Sequence, residues 1–296
     1  MRLPDYKPLF VYFGAKSTIA HEVWMALGNV DNYVEPFFGS GAVLFLRQHE
    51  PKIETVNDAD GFICNFWRAV KADSDAVAEY ADWPVDECDL HARHLWLIGN
   101  RESITDRLCG NPEFYDAKVA GWWCWGACCW IGSGWCSGNG PWIEQDGRMV
   151  LGDAGRGVNR KRPHLGDAGR GVNRKRPHLG NAGQGVNRSR PHLGDADQGA
   201  CAEHRTHLIE IMRQFADRLR GVRICCGDWS RICGPSPTIK HGLTGVFLDP
   251  PYSTEAGRDM SCYAVDCGKV AHDVREWAIE WGRHPLMRIV LCGYEG

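Results

Sequence analysis

The sequence lacks the features that mark secreted and membrane-spanning proteins. Its 296 residues contain no apolar stretch long enough to cross a bilayer, because glycines interrupt the tryptophan-rich run 122–135. Residues 1–6 also lack the apolar character of a signal peptide. These absences predict a soluble protein that resides in a cytoplasm and has no membrane partner.

Paired C-x2-C motifs are absent as well, although the chain has 14 cysteines. Cys124, Cys128, Cys129 and Cys136 lie close together, but their spacing is not that of a zinc site. Thiols stay reduced in a cytoplasm, so we expect no disulfide framework. Zinc is the minor alternative, and we interpret these cysteines as small buried apolar residues without a metal.

The chain has little net charge, but one segment has a local excess of cations. Residues 152–199 contain three full copies and a partial fourth copy of a fourteen-residue repeat. Their charge of +6 leaves −9 for the rest of a chain whose total is −3. Each copy has too few apolar residues to bury a face, which excludes a helical solenoid. Short hairpins, a flexible arm or a disordered linker remain, and a localisation signal is a weaker interpretation.

A tetrapeptide near the C-terminal end, Asp249-Pro250-Pro251-Tyr252, directly follows the apolar run 245–248. The run predicts a buried strand, and the two prolines take the backbone out of the sheet in a stiff loop. Asp249 and the Pro250 carbonyl can accept hydrogen bonds from an amino group, while Tyr252 can stack on a planar ring. The motif therefore predicts a grip on an amine-bearing ring, with an ordinary Pro-Pro turn as the alternative.

A second motif lies in the N-terminal third, where residues 32–45 predict a strand, a glycine-rich turn and the start of an apolar helix. Gly39 and Gly41 let the backbone approach a ligand, although the full G-x-G-x-x-G fingerprint is absent. The next predicted strand, 53–58, ends at Asp58, where doubly wound folds hold ribose hydroxyls. The alternatives are a plain strand-to-helix turn and a helix N-cap supplied by Asp58 or Asp60.

Two helices are predicted beside these motifs. Ser17 is the predicted N-cap of a helix that extends to Leu27. The apolar spacing of residues 270–281 predicts another helix after the D-P-P-Y motif.

Four separated stretches, in the same order, resemble the Dam-type family of DNA adenine-N6 methyltransferases. They are Phe13-Gly14-Ala15-Lys16, Glu35-Pro36-Phe37-Phe38-Gly39-Ser40-Gly41, Asn57-Asp58 and Asp249-Pro250-Pro251-Tyr252. The resemblance implies an α/β fold with a Rossmann-like seven-stranded sheet flanked by helices. It implies a catalytic domain of residues 1–70 plus 202–296, and a target-recognition segment of residues 71–201 inserted between the glycine-rich and D-P-P-Y motifs.

The resemblance also implies S-adenosylmethionine as the cofactor. Residues placed against it are Phe13, Gly14, Lys16, Glu35, Pro36, Phe37, Phe38, Gly39, Ser40, Gly41 and Asp249. Asp58 is placed at the ribose of the cofactor. Asp228-Trp229 matches the Asp-Phe element of the family, so Asp228 is expected at the adenine amino group and Trp229 as the stacking ring.

The implied reaction is methylation of adenine N6 in double-stranded DNA after the base is flipped out of the stack. Asp249 and the Pro250 carbonyl then accept from N6, and Tyr252 stacks on the extruded ring. Cytosine-N4 methylation uses a similar grip. Methylation of a protein glutamine amide and a non-catalytic DNA-binding protein on a decayed methyltransferase fold are further alternatives. The implied setting is a bacterial or phage-infected bacterial cytoplasm, with a restriction endonuclease partner or without one.

The inserted segment lies where the family contacts DNA. Trp130 and Trp135 are candidate DNA-contacting rings, with core packing as the alternative for each ring. Phosphate contact is favoured for the repeat arginines, which are Arg156, Arg160, Arg162, Arg170, Arg174, Arg176, Arg188 and Arg190. The family usually has a further pair of strands after the last predicted strand, 288–292, so a shortened or truncated sheet is expected.

Overall fold

The computed structural model describes residues 8–10, 16–130, 135–136, 142–145, 148–151, 202–251 and 269–293. The strands are β1 (Asn32–Glu35), β2 (Ile53–Asp58), β3 (Trp142–Gln145), β4 (Arg148–Leu151), β5 (Val222–Cys226), β6 (Thr244–Leu248) and β7 (Met287–Leu291). The helices are α1 (Ala20–Leu27), α2 (Ala42–Phe45), α3 (Gly61–Ala81), α4 (Glu87–Gly110), α5 (Ala117–Cys129), α6 (Ala202–Leu219) and α7 (Val270–Trp281). Strands alternate with helices, which confirms the predicted α/β class.

Five of these strands form one sheet in the order β5-β2-β1-β6-β7, and every pairing is parallel. The resemblance implied seven strands, whereas the described part of the chain contributes five to this sheet. Strands β1 and β6 are buried along their whole length, because helices cover the faces of a parallel sheet. The chain passes from β1 to one side of the sheet and returns on the other side at β6, so the strand order reverses between these neighbours.

Strands β3 and β4 form a separate antiparallel hairpin within the predicted target-recognition segment. Helices α4 and α5 of that segment share the main hydrophobic core with the sheet, for example through Leu97 and Val119. The predicted boundary after residue 70 falls inside α3. The division into two domains therefore stays a prediction, since the helices and the sheet pack around one core.

Two predicted helix starts have different outcomes. Ser17 does not cap α1, because residues 16–19 form a turn and Ile19 precedes the helix without a side-chain cap. Asp60, in contrast, caps α3 by accepting a hydrogen bond from the backbone N–H of Phe62 at 2.9 Å. Among the described residues, no helix is both long enough and apolar enough to cross a bilayer.

A buried ion cluster joins β2, α6 and the segment after α2. Both carboxylate oxygens of Glu54 accept from the guanidinium of Arg218, at 2.6 and 2.8 Å, and Arg47 Nη1 lies 3.0 Å from Oε1. The three side chains are at most 4% exposed. Each arginine also donates to a backbone carbonyl, Val30 for Arg47 and Leu44 for Arg218. The buried carboxylate of Glu54 is therefore paired with two guanidinium groups, each of which also has a backbone acceptor.

We expect Arg218→Leu to lower the free energy of unfolding by about 3 kcal/mol, because it removes one partner from a buried, hydrogen-bonded charge. Arg213→Leu is the matched control on the same helix, since Arg213 is 59% exposed and pairs with Asp75 at the surface. Its stability should stay close to wild type. Urea unfolding followed by circular dichroism measures both variants, and equal losses would contradict a structural role for the buried cluster.

Candidate active site

The glycine-rich and D-P-P-Y motifs meet at one edge of the sheet. They follow β1 and β6, which are neighbouring parallel strands and so end at the same edge. The point where strand order reverses is where open α/β sheets bind ligands. Lys16, from the stretch 13–16, also lies at this edge, because its Nζ is 2.8 Å from Asp249 Oδ2. Three motifs that are distant in sequence are therefore brought together.

Asp249 is a largely buried carboxylate that pairs with the ammonium group of Lys16. Burial raises the pKa of Asp249, and the ammonium group of Lys16 opposes that effect. The two side chains are 20% and 17% exposed. Lys16 is paired with Oδ2. The geometry thus allows Lys16 to favour the ionised carboxylate while Oδ1 accepts from a ligand.

The glycine-rich loop has a backbone that requires glycine at two positions. Gly39 has a φ of +48° and Gly41 a φ of +71°, in the left-handed region. A Cβ at Gly41 would lie 2.5 Å from a ring carbon of Phe45 and 2.7 Å from one of Phe38. The indole N–H of Trp67 donates to the Gly39 carbonyl at 2.9 Å. The loop is therefore held from beneath by buried aromatic rings.

Asp58 lies at the end of β2 and holds the same loop by its side chain. Its Oδ2 accepts from the Gly39 N–H and its Oδ1 from the Asp60 N–H, both at 2.9 Å. Burial raises the pKa of Asp58 to about 7, against the opposing effect of these backbone donors. Each carboxylate oxygen can accept more than one hydrogen bond, so ligand hydroxyls can still bind there.

Asn57 joins the glycine-rich loop to the element after β5. Its Nδ2 donates to the Pro36 carbonyl at 3.2 Å and to the Gly227 carbonyl at 2.9 Å. Its Oδ1 is buried without a hydrogen-bond partner among the described residues. Sequence reasoning placed Asn57 in a matched motif without giving it a role. The only sequence signal for this bridging function is its position beside Asp58.

The Asp228-Trp229 element lies across from the loop. Asp228 is exposed and its Oδ1 accepts from the Ser230 N–H at 2.9 Å, which starts the short 3-10 helix Trp229–Ile232. The Trp229 ring is half-buried and stacks on Phe37, with ring centroids 6.5 Å apart and an interplanar angle of 27°. Phe37 belongs to the loop after β1, so the two predicted cofactor elements contact each other.

Glu35 ends β1 in a fully enclosed position. It is 2% exposed and accepts a hydrogen bond from the Tyr33 hydroxyl at 2.9 Å. Burial raises the pKa of Glu35 well above its ordinary value, and the nearby carboxyl of Asp249 raises it further. Glu35 therefore favours its neutral form and adds little negative charge beside Asp249.

Residues 12–89 match the family model of the D12 class N6 adenine-specific DNA methyltransferases. This segment, and not the whole chain, is similar to the class. The Type II methyltransferase M.MjaIII of Methanocaldococcus jannaschii is 32% identical over 83 residues, which cover 25% of this chain and 29% of that protein. The chain therefore spans less than a third of this relative's length. The matched segment contains three of the four stretches recognised in the sequence, and confirms the resemblance to adenine methyltransferases.

Other predicted site residues lie outside the described residues or in packed parts of the chain. Phe13, Gly14, Tyr252 and the repeat arginines of 152–199 lie outside. Trp130 stacks on His94 with ring centroids 4.4 Å apart, and Trp135 donates to the Trp123 carbonyl at 3.0 Å. The DNA-contacting role of both rings stays a prediction. The described part of the chain contains no group of three or more His, Cys, Asp or Glu side chains suited to a metal ion.

Lys16→Met should raise the pKa of Asp249 further, because burial then acts without the opposing ammonium group. Carbon-13 titration of the aspartate carboxyl groups measures the change. Lys52→Met is the control, since Lys52 pairs with Asp31 before β1, at the other end of that strand. An unchanged or lowered pKa in Lys16→Met would contradict the role assigned to the ion pair.

Proposed function

We propose that the protein transfers the methyl group of S-adenosylmethionine to the N6 atom of adenine in double-stranded DNA. One observation carries the proposal: Asp249 and the glycine-rich loop meet at the switch point of a sheet whose N-terminal segment matches an adenine-specific family. The relative in Methanocaldococcus jannaschii is described as a Type II methyltransferase, which agrees with DNA as the substrate.

The residues at this edge fit S-adenosylmethionine in their donors and acceptors. The Asp58 carboxylate has acceptor capacity left for ribose hydroxyls, and the exposed Asp228 carboxylate is available to an adenine amino group. The half-buried Trp229 ring offers an apolar face for stacking. When bound, the cofactor supplies a methyl group already activated by its sulfonium.

The protein's part in the transfer is alignment of the target amine. The Asp249 carboxylate and the Pro250 carbonyl accept from the adenine N6–H bonds, which directs the nitrogen lone pair away from the ring. Lys16 favours the ionised form of Asp249, which accepts hydrogen bonds, while burial raises the pKa of Asp249. Tyr252 stacks on the flipped ring, and the repeat arginines bind the DNA phosphates.

Asp249→Ala should lower methyl transfer by about 10²- to 10³-fold or more, as expected when one aligned polar contact to the reacting group is lost. Folding and nonspecific DNA binding should remain. Incorporation of tritiated methyl groups into DNA measures the rate, and Asp31→Ala is a control because Asp31 lies before β1, at the opposite end of that strand. An active Asp249→Ala variant would refute the assigned role. Mass spectrometry of the digested DNA separates adenine-N6 from cytosine-N4 products.

Cofactor affinity should depend on pH through Asp58. Ribose hydroxyls donate to the ionised carboxylate, whereas the free protein protonates Asp58 below its pKa of about 7. The dissociation constant should therefore rise by about tenfold for each pH unit below that value and level off above it. Calorimetry with S-adenosylmethionine measures this dependence.

Asp58→Asn should bind weakly and lose this pH dependence. Asp60→Asn is the matched control, because asparagine still caps α3 and leaves Asp58 in place. It should keep the pH dependence, but with the midpoint at a lower pH, because the charge of Asp60 raises the pKa of Asp58. A flat wild-type profile between pH 5 and 8, about one unit or more on either side of the pKa, would argue against Asp58 as the ribose acceptor.

A further inference from the structure

Three cysteine side chains meet at the carboxyl end of β5. Cys226 is the last residue of that strand, Cys64 lies in the first turns of α3, and Cys109 is the penultimate residue of α4. Cys64 Sγ donates to the Cys225 carbonyl at 3.3 Å, and Cys109 Sγ donates to the Cys226 carbonyl at 3.7 Å. The side chains of Cys64 and Cys109 also lower the pKa of the Cys226 thiol, so the three thiols are neighbours. The methyl-transfer mechanism uses none of these groups.

The three thiols differ in their access to solvent. Cys64 and Cys226 are 1% and 2% exposed, whereas Cys109 is exposed. A small reagent therefore reaches Cys109 first, and the Cys226 thiol lies directly behind it. This arrangement suits a reaction in which an outer thiol is oxidised and an inner one resolves it.

We propose that Cys109 and Cys226 form a modification site for hydroperoxides and close to a disulfide that weakens cofactor binding. The second part rests on the proposed function, because it takes the edge beside Cys226 as the cofactor site. The disulfide itself depends only on the contact between the two cysteines.

The chemistry proceeds in two balanced steps. The Cys109 thiolate attacks one peroxide oxygen, the O–O bond breaks, and the leaving alkoxide or hydroxide takes a proton. Cys109 is then a sulfenic acid, oxidised by two electrons. The Cys226 thiolate attacks the sulfenic sulfur, the S–O bond breaks, and the hydroxide leaves as water. Two thiols and one hydroperoxide thus yield one disulfide, one alcohol or water, and one further water.

The surroundings favour Cys226 as the resolving thiolate. The hydrogen bond from Cys64 lowers the pKa of Cys226, and the bond from Cys109 acts in the same direction, while burial opposes both. Burial and the neighbouring Cys226 raise the pKa of Cys109, so the first step should be the slower one. The described charged groups that act on this pair include Arg68, Arg231 and Asp58.

The disulfide would act on the cofactor site through the next residue. Gly227 has a φ of +125°, its N–H donates to the Asp58 carbonyl at 2.9 Å, and its carbonyl accepts from Asn57. Asp228 and Trp229 follow directly. A bond from Cys226 to the end of α4 would pull on the backbone directly before Gly227. We expect the turn at Gly227 to shift and Asp228 to move with it.

The test exposes the full-length reduced protein to hydrogen peroxide, blocks the remaining thiols by alkylation and maps the peptides by mass spectrometry. We expect a crosslinked pair that contains Cys109 and Cys226. Calorimetry should show affinity for S-adenosylmethionine lowered by about tenfold, within the range usual for coupled sites, and restored by dithiothreitol.

Two variants of α4 make the test specific. Cys109→Ser should keep its affinity after peroxide treatment, and Cys88→Ser should respond as wild type does, since Cys88 is an exposed cysteine at the other end of the same helix. A sulfonic acid at Cys109 without a crosslink would overturn the modification site. A crosslink with unchanged affinity would overturn its effect on the cofactor. If the reduced wild type does not bind S-adenosylmethionine, the proposed function fails, whereas the peptide map still decides the disulfide.

Discussion

The parallel pairing of β1 with β2 on one side and β6 on the other is the constraint on which the rest of the site depends. Neighbouring parallel strands end at one edge, so the residues that follow them must converge. The glycine-rich loop, Asp58 and Asp249 come from three different parts of the chain. Their proximity needs no local sequence relation, because the backbone hydrogen bonds of the sheet produce it.

That convergence places several carboxyl groups where water is scarce. Glu35, Asp58 and Asp249 all have pKa values raised chiefly by burial. The protein handles each one differently: a tyrosine hydroxyl donates to the first, backbone N–H groups to the second, and an ammonium group pairs with the third. Burial thus favours the neutral form of all three carboxyl groups, and at Asp249 the ammonium group of Lys16 opposes that effect.

Much of the fold follows from sequence pattern alone. The apolar runs before the acidic and proline-rich turns predict the strands, and the bounds of β2 and α7 agree with the structure. Local sequence signals were less informative where a contact with a residue distant in the sequence determines the backbone. Ser17 has the chemistry of a cap, but the turn 16–19 orients Lys16 toward Asp249, and the helix begins later. The kink at Asp73 inside α3, in contrast, has a local signal, because the Asp73 carboxylate accepts from the Ala76 N–H as a helix N-cap does.

The sequence predicts the motifs of the candidate site, but not the residues that hold those motifs in place. The residues of the glycine-rich turn are recognisable because the spacing of glycines and acids is a local property. The roles of Asn57 and Arg218 depend on contacts with residues more than 150 positions away in the sequence. Such contacts are set by topology, and a single sequence gives no measure of which pair will form.

Strand β2 links the buried ion cluster to the active-site edge. Glu54 and Asp58 are four residues apart, so they project from the same face of the strand, about 13 Å from each other. One anchors the strand to α6, and the other holds the ligand loop. The salt bridge of Glu54 therefore anchors the same strand that carries Asp58 to the glycine-rich loop. A sequence change at Glu54 or Arg218 would act on the candidate active site through β2, without replacing any residue of that site.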